Sequence, residues 1–121
     1  MIDKLDTLMI GVRDMAAMTA FYRDVLGLPV RFASPPYWTS LDLNGIQIGL
    51  HGGGDTPPQA GWLPSFTVSD LKSFRAHLEA NGVAIEGDYH ETPRGTILTF
   101  HDPEGNGWQA MQLGAKPADL K

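Results

Sequence analysis

Gly95-Thr-Ile-Leu-Thr-Phe-His-Asp-Pro-Glu-Gly-Asn-Gly-Trp-Gln-Ala-Met-Gln-Leu113 reads as two short strands joined by a tight Asp102-Pro103-Glu104-Gly105 turn. Proline at the second turn position presets φ and glycine at the fourth admits the exit, which makes the segment a hairpin. The stretch has an echo. Trp38-Thr-Ser-Leu-Asp-Leu-Asn-Gly-Ile-Gln-Ile-Gly-Leu50 carries Asp42-x-x-Gly45 sixty positions before Asp102-x-x-Gly105, and is expected to turn in the same way. How far the echo extends decides the fold.

It extends through the whole chain. Leu5 to Val12 is apolar-rich, Asp14 is placed to cap a helix over residues 15–26 with Met15, Met18, Tyr22 and Leu26 near one face, and Gly27 sits where a left-handed cap belongs. Strands follow at about residues 30–33, 37–43 and 46–51. Residues 52–61, rich in glycine and proline, oppose regular structure and read as the linker. Beyond it come a strand at 63–68, Asp70 as a cap, a helical stripe of Leu71, Phe74 and Leu78 ended by Asn81-Gly82, a strand at 83–89 and the opening hairpin. Val12-x-Asp14-Met15 answers Val68-x-Asp70-Leu71 at an offset of 56, Gly27 answers Gly82 at 55, and the Asp-x-x-Gly motifs answer at 60. An internal repeat of this length predicts an α+β fold of duplicated βαβββ modules, residues 1–51 and 62–121, within a single domain.

Composition narrows the function. A formal charge of −5 without a Lys/Arg cluster argues against nucleic acid as a partner and is compatible with a neutral or cationic small ligand. No apolar run approaches the ~20 residues of a membrane span. The acids of Met1-Ile-Asp-Lys-Leu-Asp6 stand where a signal peptide needs basic residues, so the chain is expected in the cytoplasm. Zero cysteines exclude disulfides, thiolate metal sites and a cysteine nucleophile.

The Val12-x-Asp14 entry to the first helix, the phrase Phe21-Tyr22-Arg23-Asp24-Val25-Leu26-Gly27-Leu28 and the turn Asp102-Pro103-Glu104-Gly105-Asn106 resemble those of the vicinal oxygen chelate superfamily, the fold of glyoxalase I, bleomycin-resistance proteins and extradiol dioxygenases. The resemblance covers essentially the whole chain. It implies that each module forms a strongly curved mixed sheet with its helix outside, that the concave faces enclose a ligand cavity, and that two chains pair as a homodimer. Enzymatic members hold a divalent metal with four side chains, on the first and fourth strand of each module. Carried onto this sequence, those positions are Thr7, Gly49, Leu63 and Gln109.

This quartet is a poor metal site, because imidazole and carboxylate are wanted and a hydroxyl, a neutral amide and two positions without a side-chain ligand are offered. A cavity with no cofactor is expected ahead of a divalent metal. His51, two residues beyond Gly49 on the same strand face, either brings an imidazole into the cavity or is a half-solvated strand end. His101 either faces the cavity beside Thr99 or hydrogen-bonds its own turn. His77 and His90 receive no function. Glu86, Asp88 and Glu91 read as solvated strand-to-loop carboxylates, and no catalytic residue is identified.

Strand parity with the four positions gives the candidate ligand wall: Thr7, Met9, Gln47, His51, Leu63, Ser65, Gln109 and Met111, with His101 as above. Trp38 is either an aromatic wall or core, Trp108 is core, and Trp62 is undecided. The expected function is metal-independent binding of a small molecule, resembling the antibiotic-sequestering bleomycin-resistance proteins in mode. The alternatives are a metal-dependent enzyme using His51 and Gln109, of lactoylglutathione lyase type or dioxygenase-like, and an interaction protein whose concave faces are filled.

Overall fold

Both helices begin where an aspartate caps them. In the computed structural model, which describes residues 1–53, 59 and 61–121, Asp14 accepts the amide of Ala17 at 3.0 Å and opens helix α1 (Met15–Ala20). Asp70 accepts the amide of Ser73 at 3.0 Å and opens α2 (Leu71–Ala80). The chain divides into two units, Met1–Pro58 and Gln59–Lys121. Of the expected linker, residues 54–58 and 60 lie outside the described residues.

The first unit runs β1 (Thr7–Gly11), α1, a π-helical turn (Phe21–Val25), β2 (Val30–Ser34), β3 (Trp38–Leu43) and β4 (Ile46–His51). The second runs β5 (Ser65–Thr67), α2, β6 (Ala84–Thr92), β7 (Gly95–His101) and β8 (Gly107–Leu113), followed by a 3-10 turn at Pro117–Leu120. The sheets share one topology: the orders are β1-β4-β3-β2 and β5-β8-β7-β6, with the first strand of each parallel to the fourth and the other pairs antiparallel. This is the duplicated βαβββ arrangement of an α+β fold that the repeat implied.

Each helix covers one face of its own sheet. In the first unit Met15, Met18 and Tyr22 are buried with Leu41, Ile48 and Leu50, and each such side chain contributes ~1.5–3 kcal/mol of burial. In the second, Phe74 of α2 meets Phe66 and Phe100 edge-on at 5.8 Å, and Trp108, 3% exposed, lies against Phe66 in the core. Phe66 and Trp108 thus mark the helix side of their sheet.

Three local features depart from the sequence reading. The helix expected over residues 15–26 widens in its last turn, where the amide of Leu26 donates to the carbonyl of Phe21, five residues back. The wide turn lets the adjacent Phe21 and Tyr22 both be buried, with rings edge-on at 5.1 Å. Asp42-Leu43-Asn44-Gly45 does not turn like its echo. The ladder continues through Leu43↔Ile46, so the chain reverses at Asn44-Gly45 alone, with φ of 48° and 94°. Positive φ at both residues gives the two-residue turn whose twist matches flanking strands, and Asp42 instead caps it by accepting the Gly45 amide at 3.1 Å. Asp102-Pro103-Glu104-Gly105 does form the expected turn, the Gly105 amide donating to the Asp102 carbonyl at 3.0 Å. Finally, β5 is shorter than the expected strand and leaves Leu63 ahead of it, while β6 extends to Thr92 and takes in Glu86, Asp88 and Glu91.

The turn difference shifts the echo by one residue. Ser40 pairs with Gly49 and Thr99 pairs with Gln109, so β4 maps onto β8 at an offset of 60 but β3 maps onto β7 at 59. Asp42 therefore occupies the ladder position of His101, and Trp38 that of Ile97.

Candidate functional site

The sheet face turned away from the helix carries the candidate residues, and the ladders fix which ones share it. In the first unit three cross-strand rows result: Thr7, Gln47 and Asp42; Met9, Gly49, Ser40 and Phe32; Gly11, His51, Trp38 and Ser34. Thr7, Met9, Gln47 and His51 are thus brought to one face, as parity required, and Trp38, left between wall and core by the sequence, joins them there. Met9 and Phe32 are 62% and 61% exposed there.

Trp38 dominates this face. Its indole leans from its own row across Gly49, so that a Cβ built on Gly49 would lie 2.8 Å from Cζ2 and closer still to Cη2. Its Nε1 donates to the Ser40 hydroxyl at 2.6 Å, and its ring meets the His51 imidazole edge-on at 6.4 Å. The cause is local: Trp38 and Ser40 point the same way along β3, and the missing side chain at Gly49 leaves a flat seat between them. Trp38 therefore lies on the helix-distal face of the sheet, away from the core beneath α1. At the end of the face beyond Gly49, Gln47 Nε2 donates to Thr7 Oγ1 at 3.4 Å and Thr7 donates to Asp6 at 2.6 Å.

In the second unit the corresponding rows are Glu86, Thr99, Gln109 and Ser65; Ala84, His101 and Gly107; His90, Ile97, Met111 and Thr67. Ser65, His101, Gln109 and Met111 share the helix-distal face. Leu63 precedes the strand, with its Cδ1 3.1 Å from where a Gly107 Cβ would stand. His101 contacts its own turn, the second of its alternatives. It sits on this face, its Nδ1 is 3.2 Å from the Gly105 carbonyl of its turn, and its Nε2 is 3.5 Å from a Glu86 oxygen.

Gln59, assigned to the linker from sequence, has a structural part there. Its side-chain amide accepts from the Gly107 N–H at 2.6 Å and donates to the Gly107 carbonyl at 3.1 Å, adding one rung beside β8 ahead of β5. No local signal marks it, because the partner lies 48 residues away. Gln112 likewise accepts the Leu71 amide at 2.8 Å and helps begin α2.

The residues at the superfamily's four chelate positions do not fit a divalent ion. Thr7 is bonded to Asp6 and Gln47, Gly49 lies beneath an indole, Leu63 is aliphatic and Gln109 is a neutral amide. Among the described residues no three His, Cys, Asp or Glu side chains gather as a metal cage. Nor, among them, is any helix long and apolar enough to cross a membrane.

The profile of one protein family, described as the Glyoxalase/Bleomycin resistance protein/Dioxygenase superfamily, matches residues 4–110. No curated protein matches the chain. Solved structures share its fold. A lactoylglutathione lyase from Agrobacterium tumefaciens is 20% identical with a TM-score of 0.75, over 92% of this chain and 94% of that one. TnmS3, an antibiotic binding protein from Streptomyces sp. CB03234, is 25% identical with a TM-score of 0.73, over 93% and 98%. The fosfomycin resistance protein FosX from Listeria monocytogenes is 16% identical with a TM-score of 0.79, over 93% and 92%.

Proposed function

Because the chain belongs to the Glyoxalase/Bleomycin resistance protein/Dioxygenase superfamily, we propose that it binds a small molecule on the Trp38 face of its first sheet, without a metal at the superfamily's chelate positions. The observation that carries this reading is the indole of Trp38 lying over Gly49. A fourth-strand position that holds a chelating side chain in enzymatic relatives is here the seat of an aromatic ring.

Trp38, Met9 and Phe32 make a polarisable, apolar strip across three strands, with His51 and Gln47 at its borders. Such a strip takes a flat ligand by stacking, worth ~0.5–1.5 kcal/mol beyond area burial, and orients it by the few polar groups beside it. No bond is made or broken in this reading; the protein sequesters. The antibiotic-binding TnmS3 is a precedent within the fold. The enzymatic alternative with His51 and Gln109 as ligands finds no carboxylate cage among the described residues to support it. The reading includes a homodimer in solution, which light scattering tests directly.

Calorimetric titration of protein prepared without chelator, against a panel of planar antibiotics, tests the function. A saturable ligand whose binding is lost in Trp38→Ala is expected. Stoichiometric zinc, nickel or iron, with an activity that disappears on its removal, would overturn the reading.

A further inference from the structure

Resting on the binding reading above, we infer that Met9 is a site of reversible oxidation, and that its sulfoxide weakens the hold of the Trp38 face on an apolar ligand. The chain has five methionines and no cysteine, so thioethers are the groups that a peroxide reaches most readily. Their surroundings differ. Met15 and Met18 are buried beneath α1, and the Met15 sulfur also accepts a hydrogen bond from the Thr39 hydroxyl at 3.4 Å. Met111 is partly buried, and Met1 lies ahead of every strand. Met9 is 62% exposed in the middle of β1, between neighbours that are less open.

Strand alternation puts that thioether on the ligand side of the sheet. Met9 is the ladder partner of Gly49, whose seat the Trp38 indole fills, and the same row runs on through Ser40 to Phe32. One added oxygen changes the middle of the strip. A sulfur lone pair attacks the O–O bond of hydrogen peroxide; the S–O bond forms, the O–O bond breaks, and the departing oxygen leaves as water. The sulfur gives up two electrons and the peroxide accepts them. A polar, chiral side chain then replaces a flexible apolar one, so a ligand that covers it loses apolar contact and must also strip water from the sulfoxide oxygen. Methionine sulfoxide reductases, one for each epimer and with a dithiol as electron donor, remove that oxygen as water and return the thioether.

Peptide mapping of the full chain during treatment with hydrogen peroxide tests the site. Met9 should oxidise within about threefold of the rate of N-acetylmethionine amide in the same tube, and at least about tenfold faster than Met15 and Met18. A Met9 rate no higher than theirs would overturn the inference. Fluorescence titration with N-phenyl-1-naphthylamine, a neutral aromatic probe, tests the effect. The oxidised protein should bind it at least about threefold more weakly, reductase treatment should restore the affinity, and Met9→Leu, apolar but without sulfur, should show the same affinity before and after peroxide to within about 1.5-fold. Unchanged affinity once Met9 is oxidised, or a loss that persists in Met9→Leu, would overturn the inference and leave the binding reading standing. A probe that fails to bind the untreated protein, or binds equally well in Trp38→Ala, would overturn both.

Discussion

Gly49 has no side chain, and that absence fixes where Trp38 goes. Its φ is not positive, so only the indole above it stands in the way of a larger residue. Gly49→Ala is expected to cost about 1–3 kcal/mol by overpacking, measured by urea denaturation, and to displace the ring from the sheet. In the double variant Gly49→Ala with Trp38→Ala most of that loss should return; additive losses would show that the two residues do not share one space. Sequence parity placed Met9, Gln47 and His51 on this face because alternation is a property of each strand alone. It left Trp38 between wall and core, because its resting place depends on the register that sets Gly49 opposite Ser40, and register is made by the folded sheet.

At the scale of the element, the hairpin of β7 and β8 depends on one buried carboxylate. Asp102, 4% exposed, accepts the amides of Glu104 at 3.0 Å and Asn106 at 2.9 Å, and the side-chain amide of Asn106 at 2.8 Å. Asp102→Ala removes the acceptor for all three donors and should destabilise by about 3 kcal/mol, read from the urea midpoint, since bonds to a charged group are strong and orphaned donors are costly. Helix α2 is tied to β6 in a different way. Arg75 donates to Asp88 and to Glu79, both at 2.8 Å, and lies over the Tyr89 ring at 4.8 Å. The bond from Arg75, then that from the Tyr89 amide, holds the Asp88 carboxyl below the usual carboxylate range. A folded value below the unfolded value of ~3.9 means that the contribution is present above about pH 4 and lost as pH falls through the folded value. Asp88→Asn should therefore lower the urea midpoint at pH 7 and leave it almost unchanged near pH 2, an effect kept small by exposure and reduced by salt. The caps, both helices and the β7–β8 turn were legible because their signals are local. The Asn44-Gly45 turn was misread because Asp42-x-x-Gly45 and Asn-Gly compete within the same four residues, and the turn whose twist suits a two-residue hairpin prevails.

Across the whole molecule, the repeat was legible because two βαβββ units with identical strand order must place caps, helix ends and hairpins at near-constant spacing. The one-residue slip between β3 and β7 was not, since a two-residue reversal at Asn44-Gly45 and a loop over 102–106 preserve the motif while changing what lies opposite what. That slip seats Trp38 where the second unit has Ile97, so the two helix-distal faces differ: one is aromatic, the other a row of Glu86, Thr99, Gln109 and Ser65. Duplication therefore does not oblige the two units to supply matching ligands to one ion, and the consequence is measurable as linkage. An ion held by the folded chain at a hundredfold excess over its Kd would add about 2.7 kcal/mol of stability. For a chain of this size that is roughly 10 °C of melting temperature. Thermal unfolding in EDTA and in excess zinc, nickel or manganese is expected to give melting temperatures that agree to about 1 °C. A rise of ten degrees with any of these ions would mean that the neutral donors at Thr7 and Gln109 recruit a cation after all, and that the Trp38 ring gives way to it.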